Sequence, residues 1–180
     1  MLRVLRMFSL RIVLFCVAAS IAYGVLHDLV TVRMCLEYFT LAHPSLGIGE
    51  DPTLLALAWG VIASWWMGAI LGGLLSIAAR AGSWPKLTLR DLWIPIVGAV
   101  ALVFVLAMMA LVAGWSAGVS GRYPPPKWIT DQMPYDRWRH FVSAAWAHSA
   151  SYGAGALAGL ALCGHAVLLR WRRASGIARV

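Results

Sequence analysis

Charged residues are scarce in this 180-residue chain: only 12% are Asp, Glu, Lys or Arg, against about 25% in a typical soluble domain. Hydrophobic residues make up 61% of the chain, and its mean hydropathy is +0.76. So much apolar surface excludes an intrinsically disordered chain, which has little to bury, and an ordinary water-soluble enzyme. The composition therefore indicates a multi-pass membrane protein whose main partner is the lipid bilayer.

Acidic residues are scarcer still, with 7 Asp and Glu against 15 Lys and Arg, which leaves a formal net charge of +8. The basic residues stand beside the ends of long apolar runs rather than in a stripe, so no nucleic-acid partner is predicted. Cytoplasmic loops of membrane proteins collect Lys and Arg. We therefore expect both chain termini to be cytoplasmic. The basic residues on that side are Arg3, Arg6, Arg11, Arg80, Lys86, Arg90, Arg170, Arg172, Arg173 and Arg179.

Cysteines are few, and several common site motifs are missing. Cys16, Cys35 and Cys163 form no CxxC pair, which argues against a disulfide framework. Cys35 lies outside the apolar runs and is the one cysteine placed to react or to bind a metal. The chain has no Walker loop, GxGxxG fingerprint or HExxH spacing. The sequence therefore names no reaction, and whether the protein is an enzyme stays open.

Four apolar runs are each long enough to cross a bilayer as a helix, which takes about 20 residues. Asp51 followed by Pro52 marks the start of the second run, and Thr88 with Asp91 has the spacing of a capping box before the third. Because short connections make consecutive helices antiparallel, we predict an all-α fold, an integral membrane four-helix up-down bundle that forms a single transmembrane domain over residues 1–180. The predicted spans are 10–26, 53–79, 92–119 and 140–169, joined by an outer segment 27–52, an inner loop 80–91 and an outer loop 120–139.

Small residues recur every four positions along the predicted spans. Such stripes let helix backbones approach closely in lipid, where little hydrophobic drive exists between helices. We expect them to pack the helices of one bundle. A homo-oligomer, or a membrane-protein partner docked on the same stripes, stays open. The longest stripes are Gly60, Ser64, Gly68, Gly72 and Ser76 in the second run, and Ala147, Ser151, Gly155 and Gly159 in the fourth.

Histidines and carboxylates gather on the side of the membrane opposite the termini. His27, Asp28, Glu37 and His43 all fall in the outer segment, where Arg33 would pair with Glu37 if the first helix continued through it.

The fourth run has a polar line of its own, because His140, His148 and Tyr152 recur at spacings of eight and four and so share a helix face. His148 lies about 12 Å deeper than His140. An ionisable residue at that depth marks a candidate functional site, because burying it without a partner costs free energy.

A bundle would bring the two sets into one pocket, and we predict that this pocket binds a metal. The predicted ligands are His27, Glu37, His43 and His148. Asp28 is expected to orient a ligand histidine, with Tyr152 and His140 as further supporting residues. Imidazole with carboxylate suits Fe, Cu or Zn better than Mg or Ca.

Four other uses of the chain stay open: a bis-histidine haem site, a proton relay in a small transporter component, a non-enzymatic accessory subunit and a scaffold subunit of a membrane complex.

The outer segment and the start of the second run follow the pattern HDxxTxRxCxEYFTxxHP, then Glu50-Asp51-Pro52-Thr53, then Trp59-Gly60 and Trp65-Trp66, with Tyr23-Gly24 just before. This pattern resembles a group of small, uncharacterised bacterial inner-membrane proteins. The resemblance covers roughly the first 80 residues and is looser beyond them. It implies a location in a bacterial inner membrane and carries no activity with it.

Overall fold

The computed structural model describes residues 2–176, with side chains from residue 9 onward. Its regular elements are seven helices and one short 3₁₀ turn, and the described part of the chain contains no strand. The side chains of Arg3 and Arg6, and all of Arg179, lie outside the described residues. The helices are α1 (Leu2–Met34), α2 (Leu36–Leu41), α3 (Pro52–Ile62), α4 (Trp65–Arg80), α5 (Leu89–Val119), α6 (Lys127–Thr130) and α7 (Trp138–Ala174), with the 3₁₀ turn at Tyr135–Arg137.

Four segments are long and apolar enough to cross a membrane, which confirms the predicted all-α, four-helix membrane fold. They run up and down, so α1 begins and α7 ends at one end of the bundle, which we call the termini end; the opposite end is the far end. The segments reach further than the predicted spans because the helices continue past their most apolar stretch. They are Ser9–Met34, Pro52–Arg80, Leu89–Val119 and Tyr135–Ala174.

The second predicted span is two helices rather than one, because the chain breaks between α3 and α4 at Ala63 and Ser64. The Ser64 hydroxyl donates a hydrogen bond to the Gly60 carbonyl, and the Ser64 N–H turns to Val61 at 3.3 Å. A serine that bonds its own backbone in this way competes with the regular helix pattern. The Tyr152 hydroxyl of α7 donates to the Ala63 carbonyl at 3.3 Å, so the break is tied to the last helix.

Glycines in the small-residue stripes permit the close helix contacts that the spacing predicts. A Cβ on Gly60 would lie 2.6 Å from the Val25 Cα of α1, and one on Gly68 would lie 2.8 Å from the Cys16 carbonyl oxygen. The stripe therefore joins α3 and α4 to α1. Gly155 of α7 differs from these, because a Cβ there would meet nothing within 4 Å.

Both predicted helix starts are confirmed. The Asp51 carboxylate accepts a hydrogen bond from the Leu54 N–H at 2.8 Å, with Pro52 as the first residue of α3. At the start of α5, the N–H and the hydroxyl of Thr88 donate to Asp91 Oδ2 at 2.7 and 2.9 Å.

The termini end is closed by one buried arginine. Arg170, 4% exposed, packs beneath the turn that joins α4 to α5. An arginine predicted only as a topology signal therefore also ties α7 to this turn. Its guanidinium donates to the carbonyl oxygens of Ala78, Ala81, Trp84 and Pro85.

Candidate metal centre

Three ligand-type side chains from the first and last helices meet inside the far half of the bundle. His27 and Asp28 are consecutive residues of α1, and His148 lies on α7. One ligand atom from each residue can be chosen so that all three lie within 4.8 Å of one another. The two imidazole rings are nearly perpendicular, with an interplanar angle of 82° and centroids 4.6 Å apart. This group is the candidate metal centre.

The hydrogen bonds of His148 determine which of its atoms faces the centre. Its Nδ1 lies 2.9 Å from the Ala144 carbonyl oxygen, which can only accept, so Nδ1 carries a proton. Its Nε2 lies 3.3 Å from Asp28 Oδ1. In a neutral imidazole with this tautomer, Nε2 is an acceptor that faces another acceptor. The contact therefore requires a proton or a metal cation between the two atoms.

His27 is buried and incompletely bonded. His27 is 2% exposed, and Asp28 beside it is 4% exposed. Among the described residues, His27 Nε2 has no hydrogen-bond partner, while Nδ1 lies 3.4 Å from the Ser151 hydroxyl. An unsatisfied buried polar atom costs about 1–3 kcal/mol. A cation bound at Nε2 would remove this cost.

Two residues that sequence analysis did not assign to the site support His27. The Tyr23 ring stacks on the His27 ring with centroids 5.6 Å apart, and its hydroxyl shares a 2.5 Å hydrogen bond with Ser151. Ser151 also donates to the Ala147 carbonyl at 2.9 Å. Tyr23 lies one helical turn before His27, and that spacing was the available signal for it.

Glu37, a predicted ligand, lies outside this group and forms a two-point ion pair. Arg137 Nε and Nη2 donate to its two carboxylate oxygens, each at 2.8 Å. These hydrogen bonds lower the pKa of Glu37 to about 2. The expected pairing of Arg33 with Glu37 is wrong, because α1 ends at Met34 and Cys35 is extended. Arg33 instead donates to the carbonyl oxygen of Leu29 and to the hydroxyl of Thr53.

Two predicted histidines also lie apart from the group. His43 packs against the Trp59 ring with centroids 4.7 Å apart, and its Nδ1 lies 2.9 Å from the Tyr38 carbonyl oxygen. His140 packs against the Trp115 ring at 4.8 Å. Tyr152, expected to support His148, bonds the break between α3 and α4 instead.

The expectation that Cys35 is reactive is wrong. Cys35 is 0% exposed, and its thiol donates to Glu37 Oε2 at 3.3 Å. Burial raises the pKa of this thiol to about 12, so it stays protonated at neutral pH. Cys35 therefore belongs to the core beside α2, in contact with a carboxylate and shielded from solvent.

A cavity of about 140 Å³ opens directly beneath the candidate metal centre. His27, Asp28 and His148 form part of its wall, as do Tyr23 and Tyr152. The rest of the wall is made by small and aliphatic side chains from all four spanning segments. The three ligand-type side chains are thus largely buried within the protein and also border this cavity.

The donor set indicates which ions would fit. Two imidazole nitrogens and one carboxylate oxygen suit Zn, Fe or Cu better than Mg or Ca. Comparisons of the chain with protein-family models, with curated proteins and with solved structures found no match. Any function assigned to the site therefore depends on its geometry and its donor chemistry.

Proposed function

We propose that this protein is a bacterial inner-membrane protein that binds one divalent transition metal through His27, Asp28 and His148. The observation that carries the proposal is the 3.3 Å approach of His148 Nε2 to Asp28 Oδ1, where two acceptors meet. The unpartnered Nε2 of His27 supports it. Three protein ligands leave a coordination position for water or a substrate, as in catalytic zinc sites and in non-haem iron sites.

The chain's own residues prepare this site. The Ala144 carbonyl orients the His148 ring, and Ser151 lies against Nδ1 of His27. A hydrogen bond on the far nitrogen of a ligating histidine sets its tautomer and raises its basicity. The surrounding bundle excludes water, which strengthens the attraction between the Asp28 carboxylate and a cation.

Metal stoichiometry tests the proposal. Purified protein would be stripped with a chelator, reloaded with Zn²⁺ or Co²⁺, dialysed and measured by elemental analysis. We expect the wild type to bind nearly one metal ion per chain. His27→Ala, His148→Ala and Asp28→Asn should each lower the metal affinity by more than about tenfold, because losing a residue that only hydrogen-bonds a metal ligand already lowers affinity by that factor. His165→Ala is the matched control, because His165 lies on α7 away from the group.

Two further variants test the larger predicted ligand set. Glu37→Gln and His43→Ala should keep the metal, because their side chains are engaged by Arg137 and by the Tyr38 carbonyl with Trp59. Full retention in all three centre variants, measured on helical and monodisperse protein, would contradict the proposal. A proton would then lie between His148 and Asp28, which favours the proton-relay alternative.

We also propose that the centre faces the outside of the cell. Of the 15 Lys and Arg residues in the sequence, ten belong to the side of the termini and five to the opposite side. The positive-inside rule assigns the side richer in Lys and Arg to the cytoplasm. Cysteine labelling tests this orientation. Ser45→Cys should react with a membrane-impermeant maleimide in intact spheroplasts, and Ser175→Cys only after permeabilisation, since both positions are exposed. The reverse pattern would overturn the orientation.

A further inference from the structure

The cavity beneath the metal centre extends along much of α1. On α1 its lining runs from Cys16 to Asp28, a length of about 18 Å at the helical rise. Leu75 and Leu162 line the end furthest from the centre, beside Cys16.

The wall changes from polar to apolar along this length. His27, Asp28 and His148 stand at one end. Below them come Tyr23 and Tyr152, and the remaining lining side chains are small or aliphatic. Asp28 is the one charged lining residue in the described part of the chain. An apolar cavity of this kind favours hydrocarbon over water. The aliphatic part of the wall includes Ala19, Met67, Leu71, Val100, Val103 and Ala158.

From the far end of the bundle toward its middle, the cavity wall changes from polar to apolar, as a lipid leaflet does from its headgroups to its acyl chains. His27 lies seven residues before the end of α1, about 10 Å inside the helix end. The apolar end lies deeper, toward the middle of the bundle. An amphiphile from the surrounding leaflet would therefore enter with its polar group at the centre and its chain below, without inverting.

We infer that the cavity takes the alkyl chain of a free fatty acid, whose carboxylate occupies the open position of the metal. This inference rests on the proposed metal centre. An alkyl chain can lie along the apolar lining, and a carboxylate oxygen is a natural ligand for Zn, Fe or Co. The fatty acid is thus the ligand class of the site, or the substrate class if the metal does chemistry on it.

A substitution at Gly155 can test this inference. It lines the cavity, and a Cβ added there would meet nothing within 4 Å. A leucine at this position should therefore fill the cavity without disturbing the helix contacts. Gly153 is the matched control, because it lies on the same helix, is also free of neighbours within 4 Å and does not line the cavity.

The experiment uses Co²⁺-loaded full-length protein in lipid nanodiscs, and follows the visible bands of the cobalt ion as laurate is added. We expect laurate to change the bands in the wild type and in Gly153→Leu. Acetate, which has the headgroup without the chain, and dodecanol, which has the chain without the carboxylate, should each need at least about tenfold more ligand, about 1.4 kcal/mol. Gly155→Leu should keep the cobalt bands and lose the laurate response.

The outcomes separate the two proposals. Two results would overturn the fatty-acid inference and leave the metal centre standing. In the first, the cobalt bands respond equally to laurate in Gly155→Leu and in the wild type. In the second, laurate changes the bands no more effectively than acetate does. Absence of bound cobalt in folded wild-type protein would overturn the metal centre, and the fatty-acid inference with it.

Discussion

His148 Nε2 lies 3.3 Å from Asp28 Oδ1, which joins the last spanning helix of the chain to the first within the buried interior. The Ala144 carbonyl holds the other nitrogen of His148, so the pair meets through a cation or a proton. Because the partners come from α1 and α7, whatever occupies this position also connects the two halves of the bundle.

Metal binding should therefore stabilise the folded protein. A ligand that binds only the folded state at 100 times its Kd adds about 2.7 kcal/mol to the free energy of unfolding. We expect Zn²⁺ to raise the thermal unfolding midpoint of the wild type and of His165→Ala, and to leave that of His148→Ala unchanged. An equal rise in all three proteins would mean that zinc acts elsewhere.

Close packing of α4 on α1 should depend on Gly68. Its missing Cβ leaves room for the Cys16 carbonyl and the Ser20 hydroxyl, each 2.8 Å from where that atom would lie. We expect Gly68→Ala to lower the free energy of unfolding by about 1–3 kcal/mol, the usual cost of overpacking. Gly73→Ala on the same helix has open space around the new atom and should cost nothing. Denaturant titration of the two variants compares them, and equal destabilisation would contradict this packing.

The turn between α4 and α5 should depend on Arg170. Its guanidinium reaches four carbonyl oxygens, and hydrogen bonds from a charged group contribute about 1.5–3 kcal/mol each. We expect Arg170→Ala to destabilise the fold by at least about 2 kcal/mol. Arg170→Lys should restore only part of this, since an ammonium lacks the planar fork of donors.

The neighbouring Arg172 is the control for this prediction, because it is exposed. Arg172→Ala should leave the unfolding midpoint unchanged. Proteolysis of the turn is a second readout, since it should become faster in Arg170→Ala alone. A fold as stable and as protease-resistant in Arg170→Ala as in Arg172→Ala would show that the turn is held by other contacts.

The Glu37–Arg137 pair should make stability depend on pH in the acid range. The pKa of Glu37 falls from its usual 4.5 to about 2 in the folded protein. A lowered pKa means that the pair contributes its full stability above pH 4.5 and loses it as the pH falls toward 2. Thermal unfolding between these values should show a steeper decline for the wild type than for Glu37→Gln.

Asp131→Asn provides the comparison for Glu37→Gln. Its pair with Lys127 is 3.0 Å long but exposed, with 87% and 58% of the two side chains open to solvent. Exposed pairs contribute little, so this variant should follow the wild-type pH profile. If Asp131→Asn flattens the profile as much as Glu37→Gln does, the acid dependence comes from general charge repulsion instead.

Local patterns in the sequence were enough to predict much of the fold. The caps at Asp51 and Thr88 and the small-residue stripe that contains Gly68 are each visible in residues a few positions apart. The structure confirms the two caps and the close helix contact at Gly68. The carboxylate that joins the site was harder to identify. Asp28 and Glu37 both lie near the end of α1, and the choice between them depends on where that helix ends and on how it is rotated against α7.

Partners distant in the chain explain the remaining differences. Glu37 is engaged by Arg137, which local spacing cannot reveal, and this places its carboxylate beside α2 rather than in the bundle. His43 is likewise engaged by Trp59 of α3. The break at Ser64 needs the Tyr152 hydroxyl from α7 to bond the Ala63 carbonyl. Each of these contacts joins segments whose relative positions only the assembled bundle determines.

X-ray absorption spectroscopy at the edge of the bound metal tests the central claim most directly, because it reports the ligand atoms themselves. For zinc-loaded wild-type protein we predict two imidazole ligands and oxygen ligands near 2.0–2.1 Å, with one imidazole lost in His27→Ala and in His148→Ala. The spectrum of His165→Ala should match the wild type. A metal bound without imidazole, or an imidazole signal unchanged in both centre variants, would contradict the assignment of His27, Asp28 and His148 as the metal centre.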